Sequence, residues 1–222
     1  MRYGVIVADP PWQYQRTGVR GAAETQYPTM AVEEIRGLPI ADLAADNAVL
    51  YLWATWPLLP EAMSVIDSWG FRFVTGFPWV KIEGTPQMDL FGALRVKPQF
   101  GVGWWIRGCS EAVLIARKGD VSPPGESFVG LLSDTMQHSR KPENIYDLAE
   151  RHPGPYLELF ARRPRAGWTV WGNEVDGDLV GCGLVATSTD TSTDGDGRRG
   201  SVVAREAGDN GGDHGPRLWD NP

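Results

Sequence analysis

Residues 3–12 read YGVIVADPPW, a short apolar run that ends in an acid, two prolines and a tryptophan. An uninterrupted run of this length predicts a β-strand over Tyr3 to Ala8 that is buried on both faces of a parallel sheet. In open α/β sheets, ligands bind beyond the carboxyl ends of the strands. We therefore expect the loop from Asp9 to Trp12 to lie at a binding edge.

Strand and helix patterns alternate from this first strand to about residue 175. Further strands are predicted at Ala48 to Trp53, Phe71 to Lys81, Glu111 to Arg117, Tyr156 to Ala161 and Trp168 to Trp171. Helices are predicted at Thr29 to Gly37 with Thr29 as the N-cap, at Leu58 to Trp69 ending at Gly70, and at Pro142 to about Arg151. The alternation predicts an α/β, Rossmann-like fold with a mixed, mostly parallel sheet and helices on both faces. We expect the sheet to be mixed because some late connections are too short for crossovers.

Composition divides the 222 residues into two regions. Residues 1–177 have the apolar content of one α/β domain with its own core. Residues 178–222 are rich in Gly, Asp, Ser and Thr and have too little apolar content to offset the entropy of ordering. We predict one catalytic domain followed by a disordered tail.

Charge and targeting signals restrict the class of protein. The net charge is −7, of which the tail from residue 179 carries −3 through seven acids and four bases, leaving −4 on the body. A mildly acidic body argues against tight, nonspecific binding to phosphates. Cys109, Cys182 and the three histidines have no metal-ligand spacing, and the longest apolar run, at residues 48–53, is too short to cross a membrane. We expect a soluble, cytoplasmic protein without leader, metal or disulfide.

The loop after the first strand carries two hydrogen-bond acceptors and an aromatic residue. Asp9 and Pro10 place a carboxylate beside a backbone carbonyl, and proline stiffens both positions. Two such acceptors can bind both hydrogens of an unreactive exocyclic amine, as in adenine, and Trp12 could stack on a flipped-out base. The same residues also fit a simple turn with Trp12 as a core aromatic. The position of the loop after a buried strand favours a catalytic set of Asp9, Pro10, Pro11 and Trp12.

A series of further motifs makes a specific resemblance. In chain order they are VIVADPPW (5–12), YPTM (27–30), LYLW (50–53), WVK (79–81), Glu111, HSRKP (138–142), ELFAR (158–162) and WGNE (171–174). Together they resemble the MT-A70-like adenine-N6 methyltransferases, including the phage and bacterial DNA enzymes with an Asp-Pro-Pro-Trp loop. The resemblance covers about residues 3 to 175 in the order of the family.

The resemblance implies S-adenosylmethionine as the methyl donor. Lys141 would meet the carboxylate of its methionine moiety, and Asp9 would lie near its amino group. Without the resemblance, Lys141 and Arg162 would be interpreted as solvated surface charges. Further cofactor contacts are expected at Glu158, Arg162, Asn173 and Glu174. Contacts to the target nucleotide are expected at Tyr27, Glu111, Trp12 and Arg140. One departure is the turn after Tyr156 to Ala161, which lacks the glycines of most methyltransferases.

The substrate implied is adenine in DNA, in a bacterial cell or a phage-infected host. RNA remains an alternative, as does a catalytically silent nucleic-acid-binding subunit of the same fold, and the protein would be a monomer or a homodimer. Cytosine amine methylation uses the same acceptors, but Trp after Asp-Pro-Pro fits the adenine family better. Basic and aromatic residues in predicted loops suggest a rim that grips the nucleic-acid strand. They are Arg16, Arg20, Arg95, Lys97, Arg107, Arg140, Tyr14, Phe100, Trp104 and Trp105.

Overall fold

The computed structural model describes residues 1–13, 28–89, 91, 94–101, 105–125, 131–134 and 141–175. Within these ranges eight strands form one sheet. The strands are β1 (Tyr3–Ala8), β2 (Ala44–Ala54), β3 (Arg72–Met88), β4 (Leu94–Pro98), β5 (Ser110–Lys118), β6 (Leu131–Asp134), β7 (Tyr156–Leu159) and β8 (Trp168–Trp171). The helices are α1 (Val32–Arg36), α2 (Ile40–Leu43), α3 (Leu59–Ser68) and α4 (Asn144–Ala149), and a 3-10 turn at Trp56–Leu58 precedes α3.

The sheet is divided into a parallel and an antiparallel part. Its order is β4-β3-β5-β2-β1-β7-β8, with β6 paired to β3. β1 is parallel to β2 and β7, β8 is parallel to β7, and β6 is parallel to β3. β5 is antiparallel to both β2 and β3, and β4 is antiparallel to β3. The predicted mixed α/β fold is confirmed, but the prediction of a mostly parallel sheet is wrong, because the longest ladders are antiparallel.

The antiparallel strand pairs do not lie where the sequence suggested. The connection between β3 and β4 spans only residues 89–93, and a parallel pair would need a crossover of about a dozen residues or more. β3 and β4 therefore form a hairpin, and β5 returns along the other side of β3. Some late connections were expected to be too short for crossovers, but the late strands β7 and β8 pair in parallel.

Two apolar layers cover the two faces of the sheet, as predicted. In β1, Ile6 and Ala8 pack against α1, α2 and α3, whereas Val5 and Val7 pack against α4. All four side chains are buried, which confirms that β1 is covered on both faces. None of the helices in the described ranges is long and apolar enough to cross a membrane.

The element bounds follow the sequence prediction with some differences. β1 and β8 have the predicted ends, and Gly70 takes the expected left-handed conformation after α3, with φ of 75°. Thr29 is not the N-cap of α1: the cap is Ala31, whose N–H donates to the Glu34 carboxylate at 2.7 Å. β4, β6 and α2 were not predicted. The predicted tail and its boundary lie outside the described residues.

The ends of β7 and β8 meet closely at Gly172. The Ala161 N–H donates to the Trp171 carbonyl at 2.9 Å, which brings the two backbones together. A Cβ atom on Gly172 would lie 2.2 Å from the Ala161 oxygen and 2.6 Å from its nitrogen. Only glycine fits this position without a backbone shift.

We predict that Gly172→Ala destabilises the protein by about 1 to 3 kcal/mol, because overpacking against fixed backbone displaces one of the two strand ends. Thermal unfolding followed by circular dichroism measures the effect. Gly108→Ala is the matched control, since a Cβ there would have no atom within 4 Å. Equal melting temperatures for the two variants would contradict the prediction.

Candidate active site

The loop that follows β1 is held by backbone hydrogen bonds. The Trp12 N–H donates to the Pro10 carbonyl at 2.8 Å, and the Met30 N–H donates to the Pro11 carbonyl at 2.8 Å. Gln13 in turn donates to the Met30 carbonyl at 3.2 Å. The proline-stiffened loop is thus fastened to the segment ahead of α1, and its acceptor groups have fixed positions.

Trp12 lies inside the protein. Its side chain is 5% exposed and packs in the apolar layer that contains α1 and α3. Its indole Nε1 donates to the Trp53 carbonyl at 3.0 Å, near the end of β2. This geometry favours Trp12 as a residue that anchors the loop. Stacking on a flipped-out base stays a prediction.

Asp9 belongs to a chain of alternating charges. Lys141 Nζ lies 3.1 Å from Asp9 Oδ1 and 2.7 Å from Glu111 Oε2. Lys81 Nζ lies 2.5 Å from the other oxygen of Glu111, Oε1. The side chains of Asp9, Glu111 and Lys141 are 28%, 15% and 16% exposed, so this cluster is largely shielded and yet open to a ligand.

The antiparallel strand β5 explains why these groups meet. The carboxyl ends of the parallel strands β1 and β2 lie at one edge of the sheet, and because β5 runs the other way, its beginning lies at the same edge. Ala112 pairs with Ala54, the last residue of β2, which places Glu111 just beyond that strand. Glu111 also pairs with Trp79 on β3. Neither the reversal nor the contact with Lys81 was predicted from sequence.

Two tryptophans line this charged cluster. Lys141 Nζ lies 4.9 Å from the ring centroid of Trp53 and 5.4 Å from that of Trp79. Lys81 Nζ lies 5.0 Å from the Trp79 ring. The two rings meet edge to face with centroids 5.3 Å apart. Cations at these distances are attracted by the ring quadrupole, which helps to hold both ammonium groups in a partly dehydrated site.

The surroundings shift the pKa values of the three central groups. Burial raises the pKa of Asp9, Glu111 raises it further, and Lys141 and Arg162 only partly oppose this. Burial would also raise the pKa of Glu111, but Lys141 and Lys81 outweigh it and lower that pKa below its ordinary value. Although burial opposes its charged form, Lys141 has a raised pKa because Asp9 and Glu111 stabilise the ammonium. Lys141 therefore stays charged. As the pH falls, Asp9 takes up a proton before Glu111 does.

Glu158 lies on β7, directly across from Val7 on β1. Its Oε1 accepts a hydrogen bond from the Tyr146 hydroxyl of α4 at 2.8 Å. Its Oε2 is buried and accepts no hydrogen bond from the part of the chain that the structure describes. Burial is the main cause of the raised pKa of Glu158. The Tyr146 hydroxyl, a contact that was not predicted from sequence, orients Glu158 Oε1 and leaves Oε2 able to accept a hydrogen bond from a ligand.

The remaining predicted cofactor residues lie at the ends of β7 and β8. Arg162 Nε is 3.7 Å from Glu174 Oε1, and both side chains are exposed, as is Asn173. Phe160 takes the left-handed conformation that glycine usually supplies, with φ of 63°, and its ring packs edge to face on Trp171 with centroids 5.4 Å apart. The turn therefore makes a left-handed bend without glycine.

The predicted nucleic-acid rim is only partly described. Tyr27, which was assigned to the target nucleotide, lies outside the described residues, as do Arg140, Tyr14, Arg16, Arg20 and Trp104. Arg95 and Lys97 were predicted to lie in a loop, and this prediction is wrong. Both lie on β4, where Arg95 pairs with Asp89 and Lys97 pairs with Glu83. Phe100, Trp105 and Arg107 are exposed, and Trp105 reaches 98%.

A groove of about 440 Å³ opens at the other end of the sheet. Its lining includes Gly4 at the start of β1, Asn47 of β2, Arg151 and His152. Burial lowers the pKa of His152. This groove lies at the amino end of β1, whereas Asp9 and its charged cluster lie at the carboxyl end.

Comparison with known proteins finds similarity to adenine methyltransferases. The MT-A70 family model matches residues 3–174. The type II methyltransferase M.MunI of Mycoplasma is 29% identical over 81% of this chain and 80% of its own length. The human N(6)-adenine-specific methyltransferase METTL4 is 32% identical over 78% of this chain. The N6-methyladenosine RNA methyltransferase MTA1 of Pyricularia oryzae is 34% identical over 78%.

The matched share of these relatives differs. The chain spans 37% of the length of the human protein, 47% of the fungal one, and 25% to 28% of three similar plant proteins. The aligned regions are therefore parts of longer proteins in these eukaryotic relatives.

We predict that Glu158→Gln raises the melting temperature at pH 7 to 8. A carboxyl whose pKa is raised by folding stabilises the fold below its ordinary value of 4.5, and this stability is lost as the pH rises through the folded-state value. Each kcal/mol recovered corresponds to about 2 to 4 °C in a domain of this size. The gain should vanish near pH 4, as calorimetry at both pH values would show.

Glu33→Gln is the control for this measurement, because Glu33 is an exposed acid on α1. It should not raise the melting temperature at pH 7 to 8, because its side chain is exposed and has no cost of burial to relieve. The prediction for Glu158 fails if its amide variant shows the same difference from wild type at pH 4 and pH 8.

Proposed function

Because the chain belongs to the MT-A70 family, whose members methylate the N6 amine of adenine, we propose that it transfers a methyl group from S-adenosylmethionine to that amine in DNA. One observation carries the proposal: the Asp9 carboxylate and the Pro10 carbonyl directly follow a buried strand at the carboxyl end of β1, and Lys141 forms an ion pair with Asp9 there. Asp9 is partly exposed, so a base can reach it.

The two acceptors act on the amine together. Asp9 Oδ1 forms the ion pair with Lys141 at 3.1 Å, and the second oxygen of the carboxylate, Oδ2, can accept a hydrogen of the amine. The Pro10 carbonyl accepts the Trp12 N–H and has a second lone pair. With its two hydrogens bound to these oxygens, the amine nitrogen directs its lone pair away from the base plane. The raised pKa of Asp9 also suits it to take the proton that the methylated amine loses.

The charges around Asp9 fit the cofactor. When bound, S-adenosylmethionine supplies an electrophilic methyl group on a positively charged sulfur. Lys141 would hold its carboxylate, and Asp9 would hold its amino group. The buried Oε2 of Glu158 can accept a hydrogen bond from a ribose hydroxyl, which would give this atom the donor it lacks among the described residues. Arg162, Asn173 and Glu174 follow on the same edge and complete the proposed cofactor contacts.

DNA is proposed as the substrate on the basis of size. The chain matches most of the length of a bacterial type II methyltransferase, but less than half of the fungal RNA methyltransferase. The motif series also resembles phage and bacterial DNA enzymes, which favours DNA as the substrate. Arg107, Phe100 and Trp105, together with residues outside the described ranges, are proposed to grip the strand.

We predict that Asp9→Asn lowers methyl transfer to adenine by about 10² to 10⁴-fold, because the amide loses the negative charge and cannot take the proton. The measurement is transfer of labelled methyl from S-adenosylmethionine to a DNA duplex, with N6-methyladenine identified in the digested product. Asp46→Asn is the control, since Asp46 forms an exposed pair with Arg2 away from the site. Full activity of folded Asp9→Asn would refute the role of Asp9.

Matched DNA and RNA oligonucleotides test the choice of substrate. We predict that the DNA form is methylated at least 10-fold faster at equal concentration, a preference worth about 1.4 kcal/mol. Faster methylation of RNA would replace DNA by RNA in the proposal. Titration calorimetry that shows no binding of S-adenosylmethionine would instead support a silent subunit, and light scattering would distinguish a monomer from a homodimer.

A further inference from the structure

Lys81 lies next to the site without reaching Asp9. Its ammonium group contacts Glu111 Oε1 at 2.5 Å and lies over the Trp79 ring. Its backbone is fixed on both sides: the N–H donates to the Cys109 carbonyl at 2.7 Å, and the carbonyl accepts from the Gln99 N–H at 2.9 Å. The side chain is held in place by a strand, an aromatic ring and an ion pair.

Glu111 divides its two oxygens between two lysines. Oε1 faces Lys81 and Oε2 faces Lys141, which in turn contacts Asp9. A carboxylate with one ammonium partner would attract that partner with its whole charge. With two partners, the negative charge of Glu111 is offset by Lys81 as well as by Lys141, so Glu111 adds less negative potential at Asp9.

We propose that Lys81 is a positioning residue that acts through Glu111 and Lys141 to keep the Asp9 carboxylate ionised. This inference rests on the proposed function, in which ionised Asp9 accepts the hydrogens of the amine. Lys81 contributes the second positive charge that balances the two carboxylates of the cluster.

Removal of Lys81 has a definite direction of effect. Among the described residues, the charged groups facing Asp9 are Lys141 from the segment before α4, Glu111 from β5, and Arg162 after β7, with Glu158 of β7 in electrostatic reach. Without Lys81, Glu111 keeps its charge with one partner, so the negative potential at Asp9 increases. The pKa of Asp9 then rises, and a larger fraction is protonated at any given pH.

The first test is the pH profile of kcat/KM for Lys81→Met, which keeps the apolar stem and removes the charge. We expect the acid-side midpoint to rise by about 0.5 to 1 pH unit, since a directly paired charge shifts a pKa by about 1 to 3 units and Lys81 acts through one intervening pair. Activity should return to within about 2-fold of wild type on the alkaline plateau. Lys81→Arg should keep the wild-type midpoint because it keeps the charge.

Glu111→Gln provides a test of the route. Removing the Glu111 charge should lower the acid-side midpoint. When Lys81→Met is added to Glu111→Gln, the midpoint should shift by less than a third of the shift that Lys81→Met causes in the wild-type protein. Arg2→Met removes one positive charge at the opposite end of β1 and should leave the midpoint unchanged. A merely structural role of Lys81 would instead lower activity by the same factor at every pH.

The second test does not need activity. The ¹³C carboxyl signal of Asp9, assigned by its loss in Asp9→Asn, can be titrated in the cofactor-free protein, with an amide spectrum of each variant confirming the fold. Its midpoint should be higher in Lys81→Met than in wild type and unchanged in Lys81→Arg. An unchanged midpoint in Lys81→Met overturns the inference. An inactive wild type whose Asp9 midpoint still responds to Lys81 would overturn the proposed function alone.

Discussion

A carboxylate that directly follows a strand buried on both faces needs a positive charge close by. Asp9 is in this position, and Lys141 provides the charge from a segment more than a hundred residues later in the chain. Removing one partner from a buried ion pair leaves the other charge without compensation, a cost that is reduced here because Asp9 is partly exposed and Lys141 also contacts Glu111. The contact between these two residues therefore joins the loop after β1 to the segment before α4.

The antiparallel strand gives this contact its second acid. If β5 ran parallel to β2, its first residues would lie at the opposite edge, and Glu111 could not reach Lys141. The reversal also brings Trp79 and Trp53 together, and these rings shield the two ammonium groups. The mixed sheet is thus the reason that four charged groups from distant parts of the chain share one edge.

The sequence was sufficient for features that depend on local pattern. The apolar run of β1, the aromatic ends of β8 and the left-handed Gly70 are properties of neighbouring residues, and these predictions were confirmed. The position of Asp9 at the end of a buried strand followed from the same run. The prediction of Thr29 as the N-cap of α1 was wrong, because Thr29 lies two residues before the actual N-cap, Ala31. The Ala31 N–H donates to the carboxylate of Glu34, three residues later.

The contacts within the site depend on tertiary structure. Lys81 stands in a strand pattern that suits a surface side chain as well, and only the pairing of β3 with β5 brings it to Glu111. Tyr146 looks like an ordinary core aromatic of α4, although its hydroxyl orients Glu158. Residues 12 to 132 positions apart in sequence give no local signal of such partnerships. The motifs predicted which residues form the site, but not which residues each of them contacts.

The bend at Phe160 has a consequence for how such sites are recognised. A left-handed backbone at a residue with a side chain costs about 1 to 2 kcal/mol, and here the ring of Phe160 is packed on Trp171. Glycine fingerprints detect a composition, whereas the structural requirement is a backbone conformation. A chain that reaches the conformation through aromatic packing escapes any search for glycine, so turns of this kind are better identified from dihedral angles than from letters.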